Sequence, residues 1–393
     1  MKDKVTCAVV HCELLAILIG IGVLTAPLAC SQEVPFELGE WQVGGCGNHR
    51  ALVRVRETAD AVWVRIPWRR RDPNPETKDV RIFDAQTGKR ITNVIRVGIN
   101  QEFGVLIFQP SSGAGINEVY YLPYEMPKHP MPGIWWKAWY FGPEETTDPE
   151  WRKRNGLTAD KLASGEWRKL PHAEVIAIQA RTDFDRFDPM EVIATEEETA
   201  QLLAKFPERN YLIFPEDRSF PIKMFERLPY RWVQIGPSDK FLGQAQPGEF
   251  FVFQLGIFAS RKPIVDLELE FSDLKGEGKR SIPASSFRCF NLEGVDWLGR
   301  PIRKTFSVAV VKVRPLWVGL QVPKEAKGKY FGTIKVKPKG LEETTLRLEL
   351  AVEGKALDDC GDSENWRLSR LRWLDSTLGL EDELGVTANV EFC

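Results

Sequence analysis

Apolar and polar residues alternate along much of this chain, and the alternation has period two. Val62, Val64, Ile66 and Trp68 interleave with Trp63, Arg65 and Pro67. Successive side chains on a strand point to opposite faces, so this pattern predicts a strand with one buried face. Residues 80–83 and 91–95 flank Asp84-Ala85-Gln86-Thr87-Gly88-Lys89, which reads as a hairpin turn. Residues 105–108 and 119–122 are further strands after turns bearing Gly or Ser. Short strands with frequent turns predict an antiparallel sandwich over the first half of the chain.

The pattern changes at residues 144–169, where charge dominates and Trp151 and Trp167 stand among helix formers. One or two short helices are expected there. Thr195-Glu196-Glu197-Glu198 is a capping box, because the Thr hydroxyl can accept from the backbone three residues on while Glu198 reaches back. It predicts a short helix through Ala204, followed by a strand at 211–214. A second β block begins near Trp232. Val265, Leu267, Leu269 and Phe271 alternate with acids, and Leu346, Leu348, Leu350 and Val352 alternate with Arg347, Glu349, Ala351 and Glu353 near the end. Residues 306–313 and 316–322 read as strands between them. Residues 323–332 look like the turn and strand start of bacterial immunoglobulin-like modules.

The expected fold is therefore mainly β, with two antiparallel β-sandwich domains, the second immunoglobulin-like, and short helical insertions. The boundaries are a signal peptide at 1–30, an N-terminal sandwich at 35–228 with a helical insertion at 144–204, a second sandwich at 229–354, and a linker or helix at 355–393. In that last segment Leu368, Leu371, Leu374 and Leu378 recur at helical spacing, and Trp366, Arg370 and Trp373 form a second stripe. Two stripes call for two packing surfaces, and the preceding sandwich supplies one. The chain reads as the front part of a larger, truncated architecture.

Composition narrows the function. A net charge of -2 gives no drive toward nucleic acid or an anionic membrane. The first residues carry Lys2 and Lys4, then an apolar stretch from 14 to 29 broken by Gly20, Gly22 and Pro27. That is a signal peptide rather than a membrane span. It points to a secreted or periplasmic protein with no span left after cleavage, and Cys30 is a candidate lipid anchor. Cys46, Cys289, Cys360 and Cys393 follow. Their spacing matches no zinc site, and isolated buried thiols are the simpler reading than disulfides. His11, His49, His129 and His172 are scattered, so neither a metal centre nor a cofactor is expected.

Three features offer chemistry. Trp68-Arg69-Arg70-Arg71-Asp72 suggests an anion or sugar-acid site, against a solvated strand end with Asp72 pairing locally, the simpler reading. Trp135, Trp136 and Trp139 are the candidate carbohydrate-binding residues, since indole faces stack on pyranose rings; packing in a core competes with that reading. Among the acids, Glu216-Asp217, Asp358-Asp359 and Asp362, none forms an acid and nucleophile pair, because neighbours on a strand face opposite ways.

Residues 68–72, 120–124, 189–195, 214–218, 288–291 and 369–377 together resemble the N-terminal half of large bacterial proteins related to glycoside hydrolase family 123. The resemblance implies β-sandwich modules ahead of a (β/α)8 barrel. In that family the barrel carries an Asp-Glu pair that hydrolyses N-acetylgalactosaminides with help from the substrate acetamido group. No stretch here matches that pair, so no catalytic residue is carried over. The expected function is a non-catalytic segment that packs against a catalytic domain or partner chain and binds glycan. The alternative is a self-standing extracellular module for carbohydrate or protein.

Overall fold

The computed structural model describes residues 34–375 apart from 43, 127–138, 188 and 297. Residues 1–30, where a signal peptide is expected, and Cys393, Trp135 and Trp136 lie outside the described residues. The described residues form one compact unit.

The first module is a two-sheet sandwich. One sheet runs Phe36–Leu38, Glu174–Ala180, His49–Val55, Gly115–Tyr120, Arg81–Asp84 and Arg90–Ile91; the other is Val62–Ile66, Gly104–Phe108 and Val94–Ile99. The period-two residues meet between them: Val62, Val64, Ile66 and Trp68 pack with Val53, Ile82, Leu106 and Val119. The smaller sheet is covered on its outer side as well. Trp151 and Trp167, from the helices Pro149–Arg154 and Glu166–Lys169, pack on Ile95, Val105 and Ile107. Gly104–Phe108 is accordingly buried at every position. Gly104 admits the Trp68 ring, which would lie 2.1 Å from an added Cβ.

The second module is also a sandwich. Leu212–Asp217, Phe250–Phe258, Val313–Gln321 and Phe287–Cys289 form one sheet; Lys240–Ala245, Thr344–Val352, Gly328–Pro338, Leu274–Gly276 and Ser281–Ile282 form the other, with Leu267–Phe271 also on Gly328–Pro338. Phe250–Phe258 is buried throughout because both its faces are covered. One side faces the sandwich core. The other meets Trp232 at one end and Leu368 and Leu371 at the other. Phe214 stacks on Trp232 at 4.4 Å, and the indole N–H donates to buried Glu216 at 2.8 Å.

Several expectations change. The stretch 144–204 is not one helical insertion, since Glu174–Ala180 sits inside the first sheet between Phe36–Leu38 and His49–Val55. Leu212–Asp217 pairs with Phe250–Phe258, so it belongs to the second sandwich rather than the first. The sheets are mixed, because Phe36–Leu38 and Lys240–Ala245 each pair in parallel. Residues 306–312 carry a single bridge, Val308 to Ile264, and the strand begins at Val313. Val265 is exposed, and its strand begins at Leu267. The expected C-terminal helix is two 3-10 segments, Asn365–Arg367 and Ser369–Asp375. Leu368 between them takes a left-handed φ of 57°, which an α-helix cannot continue through. The capping box forms as expected: Glu198 N–H donates to Thr195 Oγ1 at 3.1 Å, and Thr195 N–H to Glu198 Oε2 at 2.9 Å.

Candidate functional site

An open cleft of about 1230 Å³ lies where the first module meets both the segment leading to the second and Ser219, Pro221 and Lys223 of the second itself. Three segments distant in sequence supply much of its lining: Arg71 and Asp72, Leu122 and Tyr124, and Pro189 to Glu191. Each lies within one of the stretches that carry the family resemblance.

The arginine run is split by its backbone. Arg69 has a positive φ of 46° and turns away, donating through both guanidinium nitrogens to Glu198 at 2.7 Å and stacking on Tyr230 at 4.1 Å. Arg70 is fully buried, which corrects the solvated reading. It donates to both oxygens of Asp72, at 2.5 and 2.8 Å, and lies over the Trp68 ring. The local pairing of Asp72 is therefore right, but it occurs in the interior. Lys78 donates to the same carboxylate. Burial would raise the Asp72 pKa, but Arg70 and Lys78 outweigh it and hold the group below the usual carboxylate range. Only Arg71 reaches the cleft, pairing with Glu191 at 2.8 Å while its side chain stays 42% exposed.

The aromatic wall comes from a two-stranded ribbon, Tyr124–Glu125 with Trp139–Tyr140. Tyr124 is opposite Tyr140, and Trp139 is opposite Glu125. Directly opposed residues share a face, so the tyrosines line the cleft together while Trp139 points away. The tyrosine rings meet edge to face at 5.9 Å, and Lys78 sits 5.1 Å from the Tyr140 centroid. Trp139 is 73% exposed on the other side, so it is not core, and it does not share the cleft. Of the candidate tryptophans, Trp139 lies on this ribbon but on the face turned away from the cleft. Tyr124 was legible as part of a family-like stretch; Tyr140 was visible only as a neighbour of the tryptophans. Phe184, 97% exposed, also lines the cleft. His49, another lining residue, stacks on Phe187 at 4.0 Å and hydrogen-bonds the Asp185 carbonyl at 2.7 Å. Burial pulls the His49 pKa below its ordinary value.

The acids singled out in the sequence have structural partners. Glu216 accepts from Trp232 and Arg231, and burial raises its pKa. Asp217 accepts from Ser219 N–H at 2.9 Å. Asp359 accepts from Ser363 and Gly361, which bring it down to about 2. Asp362 takes bonds from Arg372, Ser369 and the Trp373 indole. Cys46, Cys289 and Cys360 are free thiols, and burial pushes Cys289 up to about 12. Among the described residues no cluster of His, Cys, Asp or Glu is placed to hold a metal, and no helix is long and apolar enough to cross a membrane.

Residues 39–181 match the family described as glycoside hydrolase 123, N-terminal domain. The first module is a glycoside hydrolase 123-like N-terminal region. Among solved structures, a family 123 glycoside hydrolase from Clostridium perfringens is similar at 17% identity over 38% of this chain and 28% of that one, with a TM-score of 0.30. A PapD-like domain of human CEP192 is similar at 16% identity over 31% of this chain and 84% of that one, with a TM-score of 0.20. A Bacteroides ovatus GH5 xyloglucanase is similar at 6% identity over 31% of this chain and 19% of that one, with a TM-score of 0.18. No curated protein sequence matches the chain. The chain thus spans well under two thirds of the family 123 structure it matches.

Proposed function

We propose that the chain is a non-catalytic segment of a secreted glycoside-hydrolase-type protein, which packs against a catalytic domain and offers the cleft of its first module to glycan. The observation that carries the reading is the surface of the C-terminal segment. Trp366 and Trp373 are 57% and 53% exposed, yet both are anchored. The Trp366 indole donates to Glu364 at 2.9 Å, and the Trp373 indole to Asp362 at 3.1 Å. Arg218 and Arg367 flank the Trp366 ring. Leu374 is exposed beside them. Indoles held by their own N–H groups lose little entropy when a partner covers their faces, and such residues anchor interfaces. The family match over the first module makes a catalytic domain the natural partner.

The test mixes the purified chain with a separately expressed family 123 catalytic barrel and measures binding by calorimetry. Binding that falls on Trp366→Ala with Trp373→Ala, at unchanged melting temperature, supports the reading. A folded chain that ignores the barrel returns the self-standing module. The chain alone is expected to leave an aryl N-acetylgalactosaminide uncleaved; turnover lost on mutating an acid of the cleft would refute the non-catalytic role.

A further inference from the structure

We infer that the cleft of the first module takes an acidic glycan, a run of pyranose rings bearing a carboxylate or sulfate group. The inference rests on the glycan reading above and adds the residues and the ligand class.

The cleft carries two chemically different sets of side chains. One is aromatic: Tyr124 and Tyr140 present two rings from one face of a ribbon. Rings of this kind stack on the apolar face of a sugar while their hydroxyls bond its oxygens. The other is basic. Arg71 and Lys223 line the cleft and also an adjoining hollow of about 210 Å³ that contains Arg227, so both cations stand where the two spaces join.

Most carboxylates of the cleft are matched by a cation, Asp185 has neutral donors, and Lys223 is the cation left without a partner among the described residues. Asp72 is held by Arg70 and Lys78 together. Glu191 is held by Arg71, and Asp183 lies 3.6 Å from Arg186. The two oxygens of Asp185 accept from Asn48 at 2.7 Å and Thr182 at 2.6 Å. In the smaller hollow Glu226 is paired with Lys312, and Arg227 is paired with Glu102 and Glu196. Lys223 is exposed and has no ion pair or hydrogen bond among the described residues. Arg71 spends one edge of its fork on Glu191 and keeps the rest open. A flat guanidinium next to an unpaired ammonium suits a carboxylate or sulfate oxygen set. The volume, about 1230 Å³, exceeds the roughly 300–1,000 Å³ that encloses a drug-sized ligand, so it accommodates several sugar rings.

The experiment titrates the full chain with tetragalacturonate, with a chondroitin sulfate tetrasaccharide and with neutral cellotetraose, following heat and melting temperature. At least one acidic probe is expected to bind about tenfold more tightly than cellotetraose, a difference of about 1.4 kcal/mol. The preference should fade as salt screens the charges. Lys223→Ala should remove most of it without touching stability, and Tyr140→Ala should weaken all binding. Which acidic probe wins separates carboxylate from sulfate. Equal binding of all three, lost in Tyr140→Ala but indifferent to Lys223→Ala, would overturn the acidic class and leave the glycan reading standing. A folded chain that binds none of the three would overturn both, while the contact of the C-terminal segment with a catalytic domain is judged separately by the tryptophan variants.

Discussion

Two buried guanidinium–carboxylate clusters, one in each module, use the same chemistry for different ends. In the first module Arg70 meets Asp72 two residues away, with Lys78 nearby. In the second, Glu249 is fully buried between Arg218 and Arg367; Arg367 donates to it at 3.0 Å from 118 residues along the chain. The first pair closes a loop on itself and so shapes the cleft, turning Arg69 and Arg71 in different directions. The second triad fastens the C-terminal segment to Phe250–Phe258, next to the apolar contact of Leu368 and Leu371 with Phe250 and Val252. Burying ions is costly, so neither cluster is evidence of stability by itself. What each supplies is geometry, and sequence separation decides whether that geometry is local or joins distant parts.

The sharpest way to break the comparison is Glu249→Ala. It strands the buried Arg218 guanidinium and leaves Arg367 with Glu364 as its one carboxylate, and leaving a buried charge unpaired costs about 3–5 kcal/mol. The expected result is a large drop in denaturation midpoint, with amide exchange in 365–375 becoming fast. Retained protection there would show that the leucine contacts alone hold the segment. Asp72→Asn comes next. It weakens charge-assisted bonds worth about 1.5–3 kcal/mol and should loosen 69–73 while leaving 365–375 protected. Exchange spreading to the C-terminal segment would mean the two clusters are coupled.

Thr195→Ala is a smaller probe of the junction. Glu198 serves both the Thr195 cap and Arg69, so the local cap and the long-range pair share one carboxylate. Losing an N-cap hydroxyl costs about 0.5–2 kcal/mol. A loss near the top of that range, measured by chemical denaturation, would indicate that the Arg69 contact weakens with it. The smallest effect is the pH response of His49. Burial depresses its folded pKa, so as pH falls the unfolded chain takes up the proton first, below about 6.5. Stability is full above that pH and is lost as pH drops toward the folded value. His49→Gln should therefore lose less stability on acidification than the parent; equal losses would place the acid sensitivity elsewhere.

Much of the fold was legible because it depends on local periodicity. One-sided strands such as Val62–Ile66 and Thr344–Val352 announce themselves by alternation, the Asp84 hairpin by its turn residues, and the Glu196–Ala204 helix by its capping box. Phe250–Phe258 does not alternate, since both faces are covered, and its pairing with Leu212–Asp217 moved the module boundary. The site was half legible. The arginine run and the aromatic ribbon were visible as chemistry, but their directions were not.

What the sequence determined by itself is the β character of both modules, the cap, the turns and the family resemblance, because each rests on residues within a few positions of one another. Tertiary structure alone decided that Arg70 is buried while Arg71 is open, that Tyr140 rather than Trp139 faces the cleft, and that Arg367 reaches Glu249. Those outcomes depend on strand register, on one positive φ at Arg69, and on contacts across more than a hundred residues, none of which a local pattern encodes.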